Sequence, residues 1–296
     1  MTHKSHFFRK RPKTGFLPIG DVPDARRSHL FHPELVPVTT EPQFPWRGFD
    51  CEDAACAWHL ASLSHNVYHN EDRAEASAAA IGWKLETRVE HDGVRADLLQ
   101  RDDDILLCCC GTRPDEIRNL RHDVDAGLVN HPKGGKMHRG FAAAWQTLRN
   151  ELLRLPPPTL STGHSLGGAL AILAASEFPI NGTIVLGCPR VGDSRFAQSI
   201  DEGTVMRYQV TADVVCHLPP KRLGFEDVGR LAFIAEGQRK FEVPYQERAR
   251  FRKQAQLQFA KRLPWLNPSA LWFRELADHA IHGYCYHLAT IIEQET

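Results

Sequence analysis

The sequence predicts an α/β domain built on a largely parallel sheet, and three observations carry that prediction. From residue 53 onward, short apolar or β-branched runs alternate with helix-like patterns, as in a sheet whose strands are joined by crossover helices. One run, ILLCCC at 105–110, is apolar throughout, as a strand covered on both faces should be. A third stretch, TLSTGHSLGGAL at 159–170, reads as strand, tight turn and helix, with a serine at the turn.

Composition bounds the rest. A chain of 296 residues with 42% hydrophobic content can bury a large core in one domain, or at most two. Residues 1–50 hold seven of the nineteen prolines among scattered basic residues and histidines, so they are expected to form an irregular arm, with residues 51–296 as a single domain. A formal net charge of zero supplies no global field for nucleic acid, so no nucleic-acid partner is expected. No apolar run approaches the roughly 20 residues of a membrane span, and MTHKSHFFRKRPKTG lacks the apolar stretch of a signal peptide. Three of the eight cysteines, Cys108, Cys109 and Cys110, are adjacent, a poor layout for a disulfide framework. A reducing, cytoplasmic location is the expectation, with export by a signal-less route left open.

The elements follow in order. DAACAWHLASLSHNVYH (53–69) has helical spacing of apolar residues. WKLETRV (83–89), VRADLLQ (94–100) and ILLCCC (105–110) read as strands, then FAAAWQTLRNELLRL (141–155) as a helix. After the triple proline at 156–158, Thr159 to Thr162 form a strand end, followed by a helix over 166–178 that is apolar all round and therefore buried. TIVLG (183–187) and TVMRYQV (204–210) are two further strands. The segment 248–262 carries six basic residues with Phe251, Leu257 and Phe259. Such a helix would suit peripheral contact with an anionic lipid surface, but its apolar residues fall on no clean face, which favours a solvated helix.

The turn at Gly163-His164-Ser165-Leu166-Gly167 is where chemistry enters. Gly163 and Gly167 lack the Cβ atoms that would clash where strand and helix approach, and Ser165 stands at the positive end of the helix beside the free N–H of Leu166. A serine hydroxyl is a weak nucleophile and needs a base oriented by an acid. With the acid and then the base following the serine along the chain, Asp213 at the end of VMRYQV is the favoured acid. Asp193, in PRVGD, reads more naturally as a turn former. Of the later histidines, His217 lies too close to Asp213 and His287 falls inside the last helix, which leaves His279 and His282 in ADHAIHGY.

Taken together, these motifs resemble the class 3 lipases of the α/β-hydrolase fold, over roughly residues 80–290. CGTRPDEIRNLRHD (110–123) is similar to the family's oxyanion strand and lid start, with Cys110 in place of an Arg and Leu120 in place of a Trp. HRGF (138–141), TGHSLGGALA, GCPRVGD (187–193), ADVVCHLPP (212–220), GFEDVG (224–229, with Asp227 where a His is common) and DHAIHGY follow in the family's order. The resemblance implies His279 as the base. It adds Thr112 to the N–H of Leu166 as an oxyanion donor, and places a lid over 113–137. It also implies a serine carboxylic-ester hydrolase acting on acylglycerols or related lipid esters, with no cofactor. A phospholipase delivered to other cells, an aromatic-acid esterase and a catalytically silent binding protein are the alternatives.

No metal is expected. His65 and His69 have zinc-like spacing without a third ligand, and His279, His282 and Cys285 are better used by a triad. The aromatic run from Trp265 to Phe273 reads as core, close enough in sequence to His279 to line an acyl pocket. The lid segment holds few large apolar residues (Ile117, Leu120, Val124, Leu128, Val129 and Met137), which predicts weak activation at an oil–water interface.

Overall fold

Eight strands make the central sheet of the computed structural model, which describes residues 44–111, 127–262, 275 and 277–295. In chain order they include β1 (Lys84–His91), β2 (Val94–Arg101) and β3 (Asp104–Cys109), three antiparallel neighbours. Then come β6 (Leu160–His164), β7 (Gly182–Leu186), β9 (Val205–Val210) and β11 (Arg230–Ala235), which run parallel to one another and to β3. An antiparallel β12 (Gln238–Phe241) closes the far edge. The expectation of a largely parallel sheet is met at the centre, where strands buried on both faces read as apolar runs.

Helices cover both faces. On one lie α1 (Ala54–Asn66) and α7 (Ile281–Glu295), packed over Leu106, Leu160, Ile184, Met206 and Tyr208. On the other lie α3 (Arg139–Leu152) and α4 (Leu166–Glu177), over Leu107, Cys109 and Val185. Alternation along the strands divides these sets: Leu106 and Cys108 face α1, whereas Leu107 and Cys109 face α4. The helix 71–80, here α2 (Glu71–Ala80), was not anticipated; its run EDRAEASAAA offers few large apolar residues to mark a face, and Asn70 caps it through Arg73 N.

The first helix begins where expected, with the Asp53 carboxylate accepting from Ala55 N at 3.0 Å, but ends at Asn66 and not His69. The carbonyls just beyond it are bound by side chains from the sheet. Arg88 donates to His69 O at 2.8 Å, and Arg95 to Val67 O and His69 O at 3.3 Å. Arg88 is itself held by Asp97, its cross-strand partner, in a buried two-point ion pair at 2.6 and 2.7 Å. Residues 44–50 of the proline-rich stretch lie against the domain: Phe44 meets Trp58 edge-on at 5.1 Å, and Trp46 meets Trp83 at 5.1 Å.

A small second sheet pairs β4 (Leu128–Asn130), β5 (Lys136–His138), β8 (Gly192–Asp193) and β10 (Phe225–Glu226). Asp193 caps α5 (Ser194–Gln198) by accepting from Phe196 N at 2.8 Å and also takes Lys136 N at 3.0 Å, the work of a turn former. The basic segment is α6 (Tyr245–Arg262). Phe251 leans on Phe233 and Ala255 is buried, while Arg250, Lys253 and Leu257 face outward. No helix of the described residues is long and apolar enough to cross a membrane.

Candidate active site

The C-terminal ends of β6, β7 and β9 converge on one spot, and the site grows from them. β6 runs directly into α4 through Ser165, whose backbone is forced to φ 58° and ψ −126°. Such a conformation costs a residue with a Cβ on the order of 1–3 kcal/mol, and it persists because both flanks are fixed. Ser165 N donates to Leu186 O of β7 at 3.0 Å, and Ser165 O receives Gly168 N at 3.0 Å. The two glycines permit the approach. A Cβ on Gly163 would lie 2.3 Å from the Gly167 carbonyl carbon, and one on Gly167 would lie 2.1 Å from Cys109 O of β3. Leu166 opens the helix, so its N–H has no acceptor within the helix and is available to an anion.

After β9 the chain turns through Thr211 and Ala212 to Asp213, which is fully buried. Its carboxylate is surrounded by donors. Val215 N reaches Oδ1 at 2.9 Å, Tyr284 donates its hydroxyl to Oδ2 at 2.6 Å, and His279 Nδ1 lies 3.0 Å from both oxygens. Burial alone would raise the carboxyl's pKa. The His279 imidazole and the hydrogen bonds outweigh that and hold it below the usual carboxylate range. Of the two candidate histidines, His279 is thus the one on the acid, while His282 lies a turn further on, in α7.

His279 is 3% exposed, and with Nδ1 on the carboxylate its Nε2 has no hydrogen-bond partner among the described residues. The same is true of Ser165 Oγ, on a residue 1% exposed. Two buried polar atoms left unsatisfied are costly, and sites that wait for a substrate are where such atoms are found. The arrangement can accept a proton at Nε2, stabilise the resulting imidazolium through Asp213, and offer a hydroxyl beside a helix N-terminus.

Sequence reasoning missed several supports of this site. Tyr284, the last residue of DHAIHGY, bridges Asp213 Oδ2 and Val210 N. Asp278 accepts from Ala212 N at 2.9 Å and so ties the histidine's segment to the acid's. Arg190 of the PRVG motif binds Asp227 at 2.9 Å and the carbonyls of His217 and Pro219, linking three motifs behind the acid loop. Position in a motif was the only signal for these residues, since their contacts span up to 74 positions.

Other expectations fare differently. Thr112, the first half of the lid segment and Trp265 to Phe273 lie outside the described residues. His217 is turned toward Gln209, and burial lowers its pKa to about 4. His65 and His69 pack edge to face at 5.1 Å, and no group of three metal-binding side chains occurs among the described residues. Burial pushes the thiol of Cys110, where the family resemblance has an Arg, up to about 12.

Comparison with known proteins agrees with this geometry. Residues 109–223 match the model of the class 3 lipases. The lipase of Rhizopus niveus is 33% identical over 132 residues, covering 38% of this chain and 33% of that protein. A secreted mono- and diacylglycerol lipase of Malassezia restricta is 32% identical over 136 residues, or 37% of this chain and 45% of its own length. The chain thus spans less than half the length of these relatives. The structure of Rhizomucor miehei triacylglyceride lipase superposes with a TM-score of 0.57 at 21% identity, covering 81% of this chain and 99% of that one, which shows the α/β-hydrolase fold. Over residues 109–223, then, the chain is similar to the class 3 lipases. The expected cytoplasmic location is corrected by the same comparison, because the mono- and diacylglycerol lipases among the relatives are named as secreted.

Proposed function

We propose that this protein is a serine carboxylic-ester hydrolase acting on acylglycerols or related lipid esters, with Ser165 as nucleophile, His279 as base and Asp213 as the acid that orients it. The observation that carries the reading is the pair of buried, unpartnered atoms, Ser165 Oγ and His279 Nε2, with Nδ1 of that histidine on Asp213. Asp213 holds the proton on Nδ1, which leaves the Nε2 lone pair to take the serine's proton as Oγ attacks the ester carbonyl. Attack converts the carbonyl to a tetrahedral oxyanion, which the N–H of Leu166 stabilises, with Thr112 as the second donor by resemblance to the family. Collapse expels the alcohol, which takes the proton from Nε2 and leaves an acyl-Ser165. Water then attacks, giving its proton to Nε2, and the fatty acid departs as the serine regains its hydrogen. Every atom is balanced without a cofactor.

Lipid esters as substrate rest on the family and on the Malassezia relative's name. A panel of p-nitrophenyl butyrate, tributyrin and phosphatidylcholine, read by acid release, tests both class and substrate. Acylglycerol or simple ester hydrolysis that vanishes in His279→Ala and survives in His282→Ala is the expected result. Phosphatidylcholine cleavage alone would point to the phospholipase alternative, and the reverse ranking of the histidines would reject the assigned base.

A further inference from the structure

Alternation along β6 sends Leu160, Thr162 and His164 toward α1, and Ser161 and Gly163 toward α4. Two polar contacts follow. Ser64 meets Thr162 at 3.2 Å, and four residues later Tyr68 meets His164 Nδ1 at 3.0 Å. The second contact leads into the candidate active site. His164 Nε2 lies 2.6 Å from the backbone oxygen of His279, and its ring lies against the His279 ring, centroids 4.5 Å apart and planes tilted by 34°.

The hydrogens in this chain are determined by the partners. A carbonyl oxygen only accepts, so Nε2 of His164 carries the proton and donates to His279 O. Nδ1 is then the lone pair, and the Tyr68 hydroxyl donates to it. Burial holds His164 neutral, with its pKa lowered to about 3. Tyr68 is itself clamped: the carbonyls on either side of it, Val67 O and His69 O, accept from Arg95 and Arg88. Its hydroxyl also lies where a Cβ on Gly111 would stand, 2.1 Å away, with His164 O at 2.6 Å from the same point.

We propose that Tyr68 and His164 are positioning residues: Tyr68 O–H fixes the tautomer of His164, which in turn holds the backbone of His279 and keeps Gly111, the residue before Thr112, in register with the Ser165 turn. The inference rests on the reading of His279 as base. It assigns a function to the His of the G-H-S-L-G turn, whose side chain the triad does not use. One network therefore sets the base and the segment entering the oxyanion site together, and its loss lowers turnover without loosening ground-state binding.

The test is steady-state hydrolysis of p-nitrophenyl butyrate by four variants, with thermal midpoints. Tyr68→Phe deletes only the hydroxyl, and kcat is expected to fall about five- to tenfold, the kinetic equal of one hydrogen bond, with KM within about twofold. Ser64→Ala removes the neighbouring contact between α1 and β6 and is expected to keep kcat within about twofold while lowering the thermal midpoint. His164→Gln places an amide nitrogen near the Nε2 position and should retain more kcat than His164→Asn, which cannot reach it. A wild-type kcat in Tyr68→Phe overturns the inference, as does an equal kcat loss in Ser64→Ala, which would mean a purely structural contact. Should His164→Asn not fold, the Tyr68 and Ser64 pair decides. Inactivity of the wild-type chain toward every ester would instead sink the reading of the site.

Discussion

Ser165 carries a backbone conformation that glycine adopts freely and serine does not, so the strain at φ 58° is a local stability cost. Replacing it should separate stability from activity. Ser165→Gly is expected to raise the thermal midpoint, by the equivalent of about 1 kcal/mol, while Ser165→Ala leaves it nearly unchanged. Both should lose on the order of 10⁴-fold or more in kcat. Differential scanning calorimetry beside an ester assay reads the two effects, and a destabilised glycine variant would mean that the turn is not strained by its side chain. At this scale the sequence was informative for Ser165, Gly163 and Gly167, whose roles follow from local geometry. It was silent on Tyr68 and Arg190, because their function lies in contacts with His164 and Asp227, 96 and 37 positions away.

Among the elements, the strands and helices with a strong apolar signature were legible: ILLCCC became β3, and the all-apolar run after Ser165 became α4. The helix α2 was not, since alanines and charges give it no marked face, and the two- and three-residue strands of the second sheet are too short to show any period. That second sheet bears on the segment where the resemblance implies a lid. Leu128, Val129 and Met137 belong to β4 and β5, half-buried in that sheet, so three of the six large apolar residues in 113–137 are already committed to the domain. Less apolar area is left for a lipid surface, at roughly 25 cal/mol per Å². Rate measured against tributyrin concentration is expected to rise smoothly through the solubility limit. A sharp jump at the onset of emulsion would contradict this and direct attention to residues 265–273.

For the molecule as a whole, two helical layers bury histidines as neutral groups, and this sets the response to acid. Burial lowers His59 to about 4 and His164 to about 3. Each therefore binds fewer protons folded than unfolded, and the stability it contributes is complete above the unfolded value of about 6.5 and lost as pH falls toward the folded one. Between pH 7.5 and 5 each should account for about 2 kcal/mol of lost stability. Asp213, held low, adds a loss of the same sign only below about pH 4. Urea midpoints across that range read the effect directly, and a flat profile from pH 7.5 to 5 would show that these imidazoles are not buried neutral in solution.

The central claim is that Ser165 is a nucleophile activated by His279. A fluorophosphonate reacts with such a serine and with no ordinary hydroxyl, so the site of its adduct, located by peptide mass spectrometry, tests the claim most directly. The account predicts a single adduct on the peptide containing Ser165, absent from Ser165→Ala and formed at least a hundredfold more slowly in His279→Ala, roughly the lower bound for a general base. Labelling of any other residue, or undiminished labelling in His279→Ala, would contradict it.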